Sequence, residues 1–92
     1  MDGYEEALRE ALRRVNENVG SPDLEAVGPD TNVFDQVDSM TIVDLLLETE
    51  TLLEEKTGAY VPLADETIFD ASASPLRRWS DWVAHVERHH ER

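Results

Sequence analysis

The chain has 92 residues, of which 40% are hydrophobic and none is cysteine, and its formal net charge is −13. The apolar content suffices for one small globular domain and excludes a wholly disordered chain, while the missing cysteine excludes disulfides, thiolate metal sites and a cysteine nucleophile. The negative charge repels phosphate backbones and anionic lipids, so we expect no nucleic-acid or membrane partner and a faster encounter with basic surfaces.

The chain shows no apolar run near the roughly 20 residues needed to cross a bilayer. Residues 1–6 are acidic, which is unlike a targeting signal. We therefore expect a cytoplasmic protein.

The first predicted helix runs from about 4 to 19, because its apolar residues recur at helical spacing. These residues are Leu8, Ala11, Leu12, Val15 and Val19. Gly20 and Pro22 favour an end at this point. Residues 20–38 then form a long predicted loop, whose irregularly spaced apolar residues indicate anchors on a core.

The second predicted helix runs from about 39 to 56, with Asp38 as its N-cap and Gly58 just past its end. One stripe of its helical wheel predicts the core face. This stripe contains Ile42, Leu45, Leu46, Thr49, Leu52 and Leu53.

A separate apolar strip, formed by Met40, Val43 and Leu47, runs along the same helix from Ser39. Carboxylates flank it, with Glu50 and Glu54 on one side and Asp44, Glu48 and Glu55 on the other. An apolar strip rimmed by charge is typical of a contact surface. The alternative is that Val43 and Leu47 pack under another segment of a small domain.

Two weaker segments follow in the chain. A short third helix is predicted over residues 63–69, with Ile68 and Phe69 facing inward. The last helix is predicted over about 75–89, since Ser74 suits an N-cap and Pro75 the first helical position. Its apolar face contains Leu76, Trp79, Val83 and Val86. The whole chain, 1–92, is therefore predicted to be one all-α domain.

Ser39 could act as a catalytic nucleophile only with a base held by a third group. The histidines, His85, His89 and His90, all lie near the C-terminus, so a catalytic triad is disfavoured. His85 and His89 have a spacing that can bind zinc on a helix, but no third ligand is evident. A serine that another enzyme activates needs no base of its own. It needs only exposure and a docking surface.

Asp38-Ser39-Met40 at the start of an acidic second helix resembles the phosphopantetheine attachment site of acyl and peptidyl carrier proteins. The helices, the long loop with Phe34 and the segment from Lys56 to Pro62 come in the order of that family. Asn32-Val33-Phe34-Asp35 and Leu45-Leu46-Leu47-Glu48 are most similar to D-alanyl carrier proteins and related discrete carriers. One departure is the Gly usually found shortly before the Asp-Ser pair, where Gln36-Val37 stands, and this departure bears on the loop conformation more than on the modification.

The resemblance implies a four-helix bundle of the acyl carrier protein type, with a short third helix and a long loop between helices one and two. It implies that a transferase, using coenzyme A and magnesium, attaches 4′-phosphopantetheine to Ser39. Asp38 would cap the helix and lie near the magnesium of the transferase complex. The thiol of the arm would carry an acyl or aminoacyl group as a thioester, and the chain would have no catalytic activity or metal of its own.

The implied partners are a phosphopantetheinyl transferase, an acyl- or aminoacyl-loading ligase or acyltransferase, and a downstream synthase or transferase with a basic docking patch. The residues expected to meet them are Met40, Val43, Asp44, Leu47, Glu48, Glu50 and Glu54. We expect a monomer that serves polyketide, nonribosomal peptide or other specialised metabolism. The alternatives are a fatty-acid-type acyl carrier protein and an acidic helical adaptor that binds its partner non-covalently.

Overall fold

A computed structural model describes residues 2–63 and 65–90 of the chain. Every regular element in these two ranges is helical, so the prediction of an all-helical protein is confirmed. The α-helices are α1 (Asp2–Val19), α2 (Pro22–Glu25), α3 (Ser39–Thr57) and α4 (Trp79–His90). Short 3₁₀ turns occupy Phe34–Gln36, Glu66–Phe69 and Pro75–Arg77.

The core lies where α1 packs against α3 and α4. Its largest fully buried side chains include Leu8 and Leu12 of α1, Leu45 and Leu53 of α3, and Trp79 and Trp82 of α4. Burying one such side chain contributes about 1.5–3 kcal/mol, so the apolar periodicity of the three long helices accounts for their association. None of the helices in the described ranges is long and apolar enough to span a membrane.

Local signals fix both ends of α3. The Asp38 carboxylate accepts a hydrogen bond of 2.9 Å from the Thr41 amide, which is the N-cap arrangement that the sequence predicts. At the other end Gly58 adopts the left-handed conformation, with φ of 77°, and its amide donates to the Glu54 carbonyl. A residue with a Cβ would be strained at this φ, so glycine is required there.

The connection between α1 and α3, which is predicted as a loop over residues 20–38, contains two short helical segments. It contains α2, which starts at Pro22, and the 3₁₀ turn Phe34–Gln36. Its later part is tied to the segment before α4, since the Val33 amide donates to the Leu76 carbonyl at 2.9 Å. The Val33 side chain is fully buried, so this stretch cannot leave the core without exposing it.

The predicted start of the last helix at residue 75 is wrong. Pro75–Arg77 is a separate 3₁₀ turn, and α4 begins at Trp79 because Arg78 has extended backbone angles. Carbonyls of the long connection then accept from the first α4 amides, Trp79 donating to Thr31 and Ser80 to Pro29, both at 2.9 Å. These bonds satisfy amides that a helix N-terminus leaves without partners.

The predicted third helix over 63–69 is reduced to the single turn Glu66–Phe69, and Ala64 lies outside the described residues. Ile68 is fully buried, as the sequence predicts. Phe69 is 40% exposed, so its predicted inward orientation is wrong. A single 3₁₀ turn aims neighbouring side chains in divergent directions, and only one of the two can enter the core.

Candidate functional site

Ser39 is the first residue of α3, and its side chain is exposed. Asp38 directly before it has extended backbone angles and holds the first turn through its bond to Thr41. That hydrogen bond from the Thr41 amide is the main reason why the pKa of Asp38 lies below its ordinary value. At neutral pH an ionised carboxylate and a free hydroxyl therefore stand side by side at the start of a rigid helix.

The turn before this pair is also fixed. The Asn32 side chain accepts from the Asp35 amide and donates to the Asp35 carboxylate, both at 3.0 Å. Ser21 donates from its hydroxyl to the Gln36 side chain at 3.2 Å, which ties the turn to the end of α1. These hydrogen bonds fix the turn before Asp38, so Ser39 has a defined position at the start of α3.

Gln36 and Val37 stand where the resemblance to carrier proteins predicts a glycine, and the backbone there needs none. Among the described residues, positive φ angles occur only at Gly20 and Gly58. Val37 has φ of −137° and ψ of 160°, an extended conformation that any residue adopts. The departure from the family pattern is thus compatible with the conformation of this loop.

The apolar strip of α3 faces outward. Met40 is 75% exposed, Val43 42% and Leu47 56%, so these side chains do not pack under another segment of the described structure. Three neighbouring apolar side chains on one exposed helix face are unusual enough in a small domain to indicate a contact surface. We refer to Met40, Val43 and Leu47 as the α3 strip.

The acids predicted to border the strip differ in their environments. Asp44 and Glu54 are exposed and carry their charge into solvent. Glu48 is paired across the helix interface with Arg14 of α1, at 3.4 Å, and both side chains are partly exposed. Exposed pairs of this kind stabilise by at most about 1 kcal/mol, so a partner cation can replace Arg14 at little cost.

Glu50 is predicted to contact partner proteins, and this prediction is wrong. Its side chain is only 5% exposed, and its carboxylate accepts from the Tyr60 hydroxyl at 2.9 Å and from the Leu63 amide at 2.7 Å. A buried carboxylate with both oxygens engaged holds its own chain together and cannot meet a partner directly. Its neighbours Leu46 and Leu53, one turn to either side on the core face, are the sequence signal that could have indicated this.

Tyr60 is the exposed residue that the sequence patterns did not single out. It is 56% exposed, although its hydroxyl is bonded to Glu50. It lies outside any helix, so helical periodicity could not assign it to the face of α3.

The three histidines lie in the C-terminal half of α4. His85 stacks on Trp82 and lies 4.2 Å from His89, while the His90 ring meets the Tyr4 ring edge-on. No hydrogen bond joins Ser39 to a histidine in the described parts of the chain, and no group of three metal-ligating side chains is found there.

Compared with known protein families, curated proteins and solved structures, the chain gives no match. Functional inference for this chain therefore depends on its own residues and on their geometry.

Proposed function

We propose that the chain is a discrete acyl or aminoacyl carrier protein, which holds its cargo as a thioester on a 4′-phosphopantetheine arm attached to Ser39. The observation that carries the proposal is the exposed Ser39 at the capped start of α3, with the exposed α3 strip leading away from it. An enzyme that must reach the serine finds its docking surface on the same helix.

The residues around Ser39 suit attachment of such a group. The exposed hydroxyl is accessible to a transferase, and the positive end of the α3 dipole favours a phosphodiester at that position. The ionised Asp38 would stand near the magnesium of the transferase complex, as the family resemblance implies. The arm would supply a flexible thiol that forms the thioester.

The arrangement of the long helices supports the finer fold assignment, a bundle of the acyl carrier protein type. α1, α3 and α4 share one core, the turn Glu66–Phe69 takes the place of the short third helix, and a long connection precedes Ser39. The end of α1 lies beside the start of α3, so the connection is longer than the gap it spans, and the extra length reaches the segment before α4, where Val33 is buried and bonded to Leu76.

The α3 strip with Asp44 and Glu54 is the proposed docking surface for the transferase, the loading enzyme and a downstream synthase or transferase. With a net charge of −13, the chain would attract enzymes that present basic patches, and attraction would weaken as salt screens it. We place the protein in the cytoplasm, where coenzyme A is available to the transferase, and in specialised metabolism, with fatty-acid synthesis as the alternative.

The test is incubation of the purified protein with coenzyme A, magnesium and a promiscuous phosphopantetheinyl transferase, followed by intact-mass measurement. Wild type should gain one phosphopantetheine. Ser39→Ala should gain none, and the matched variant Ser72→Ala, at another exposed serine, should gain one. An unmodified wild type would overturn the proposal.

A non-covalent adaptor is the second candidate, because the exposed α3 strip would serve it equally well. An adaptor would bind its basic partner with the same affinity in wild type and in Ser39→Ala. Binding of a partner by Ser39→Ala with wild-type affinity, together with an unmodified wild-type mass, would favour the adaptor.

A further inference from the structure

The segment after α3 turns back over that helix. Gly58 reverses the chain with its left-handed conformation, and the Thr57 hydroxyl donates to the Leu53 carbonyl at 2.7 Å within the last turn. Residues 59–63 then run beside α3, where the Leu63 side chain is fully buried. The position of this segment is set by contacts with α3, since it has no regular structure of its own.

Glu50 is the acceptor that holds this segment. One of its carboxylate oxygens takes the Tyr60 hydroxyl and the other takes the Leu63 amide. Hydrogen bonds to a carboxylate are stronger than those between neutral groups, and burial of Glu50 strengthens them further. The hydroxyl of Tyr60 is thereby fixed at Glu50, which follows Leu47, the last residue of the α3 strip, by about one turn along α3.

The Tyr60 ring stays 56% exposed despite this bond. Most exposed side chains lose rotamer freedom when a partner immobilises them, at a cost in binding free energy. A ring already tethered through its hydroxyl loses less, and tyrosine is among the residues that contribute most to interfaces. Tyr60 is therefore an exposed ring that its bond to Glu50 holds in place beside α3.

The charges beside the ring match those beside the strip. The hydrogen bond to Glu50 raises the pKa of Tyr60, and the negative charge of Glu54, one turn beyond Glu50 on α3, acts in the same direction. Glu54 is exposed and Glu50 is not. A partner that covers Tyr60 therefore meets an apolar ring with an accessible carboxylate at its edge, and basic side chains complement such a surface.

We infer that Tyr60 is an anchoring contact for the transferase that modifies Ser39, and that Glu50 positions it. The inference rests on the proposed function. Ser39 and Glu50 are separated by roughly 16 Å along the axis of α3. A standard interface covers about 800 Å² of each partner, which is a patch about 30 Å across. A transferase centred on the α3 strip can therefore contact α3 at both Ser39 and Glu50.

The test is the steady-state kinetics of phosphopantetheine attachment with coenzyme A and a promiscuous transferase, varying the carrier concentration. Tyr60→Ala should raise KM for the carrier about tenfold and leave kcat unchanged, because it removes an anchor remote from the reacting hydroxyl. Tyr60→Lys should raise KM further, since it places a cation against the basic patch. Tyr4→Ala, a matched loss of a tyrosine on α1, should leave KM at the wild-type value.

Glu50 is tested separately as a positioning residue. Glu50→Ala frees the ring and should raise KM about threefold, whereas Glu50→Gln should restore it, because an amide can accept from Leu63 and donate to Tyr60. Circular dichroism would verify that each variant is folded. A folded Tyr60→Ala protein with wild-type KM would overturn the inference alone, whereas failure of wild type to accept the arm would overturn the proposed function and the inference with it.

Discussion

The carboxylate of Glu50 and the hydroxyl of Tyr60 form a hydrogen bond of 2.9 Å that joins the buried side of α3 to an exposed ring. The same carboxylate accepts from the Leu63 amide. A single acidic side chain thus fixes the course of the chain after α3 and the position of the exposed Tyr60 ring.

The stability of the fold should depend on this carboxylate. Glu50→Ala would leave the buried Leu63 amide without an acceptor, which costs about 1–3 kcal/mol of unfolding free energy. Glu50→Gln should stay within about 1 kcal/mol of wild type, because its amide can satisfy both partners. Urea unfolding followed by circular dichroism measures both, and an Ala variant as stable as wild type would contradict the assigned contacts.

Much of α3 could be predicted from sequence because its signals are local. Asp38 and Gly58 mark its ends, and the wheel separates the buried face from Met40, Val43 and Leu47. The position of Glu50 between Leu46 and Leu53 could have indicated its burial, but its bonds to Tyr60 and Leu63 could not be predicted, since they depend on a segment without periodicity that folds back onto the helix. A carboxylate at the edge of the core face can be either buried or exposed until the segment that covers it is placed.

The start of α4 was mispredicted for a related reason. Ser74 and Pro75 are good local signals, and they do begin a turn, with the Ser74 hydroxyl accepting from the Leu76 amide. The break at Arg78 follows from bonds between the first α4 amides and the carbonyls of Thr31 and Pro29. Contacts between segments about 50 residues apart have no signature in local sequence.

Asp38 has two proposed roles that substitution can separate. Asparagine is as good an N-cap as aspartate, so Asp38→Asn should keep the melting temperature within about 2 °C of wild type, whereas Asp38→Ala should lower it by about 5 °C. If the carboxylate also approaches the transferase magnesium, both variants should accept the arm more slowly. Calorimetry and the rate of mass gain measure the two effects. If Asp38→Asn accepted the arm at the wild-type rate, Asp38 would act only as the N-cap of α3.

The α3 strip should control partner binding. Leu47→Asp replaces a 56% exposed apolar side chain with a charged one and should lower kcat/KM for arm attachment about tenfold. Ala26→Asp adds the same charge at an exposed position on the long connection and serves as its control. Wild-type kcat/KM should also fall as salt is raised, because screening weakens attraction between the acidic carrier and a basic enzyme. Equal rates for the two variants would exclude the strip as the docking surface.

Acidification should destabilise the protein through His85. Burial lowers the pKa of His85 from its ordinary value of 6.5, the nearby His89 and Arg88 act in the same direction, and Asp65 opposes them. Its Nε2 atom is buried without a hydrogen-bond partner in the described ranges. The folded protein therefore binds fewer protons than the unfolded chain, so this contribution is complete above the unfolded pKa of 6.5 and is lost as pH falls from there through the lower pKa of the folded state.

The measurement for His85 is the urea midpoint at about pH 7.5 and about pH 5.5. Wild type should lose more stability between the two than His85→Gln, which cannot be protonated. The difference between the proteins isolates His85 from the carboxylates and from the other histidines. An identical loss in both would show that His85 does not respond to pH in this range.

The most direct test of the carrier assignment is to locate the arm within the chain. The protein would be produced together with a phosphopantetheinyl transferase, digested, and its peptides sequenced by tandem mass spectrometry. The carrier assignment predicts one phosphopantetheine group, on the peptide that contains Asp38-Ser39-Met40 and on the Ser39 oxygen. An unmodified Ser39 peptide, or the group on another serine, would contradict it.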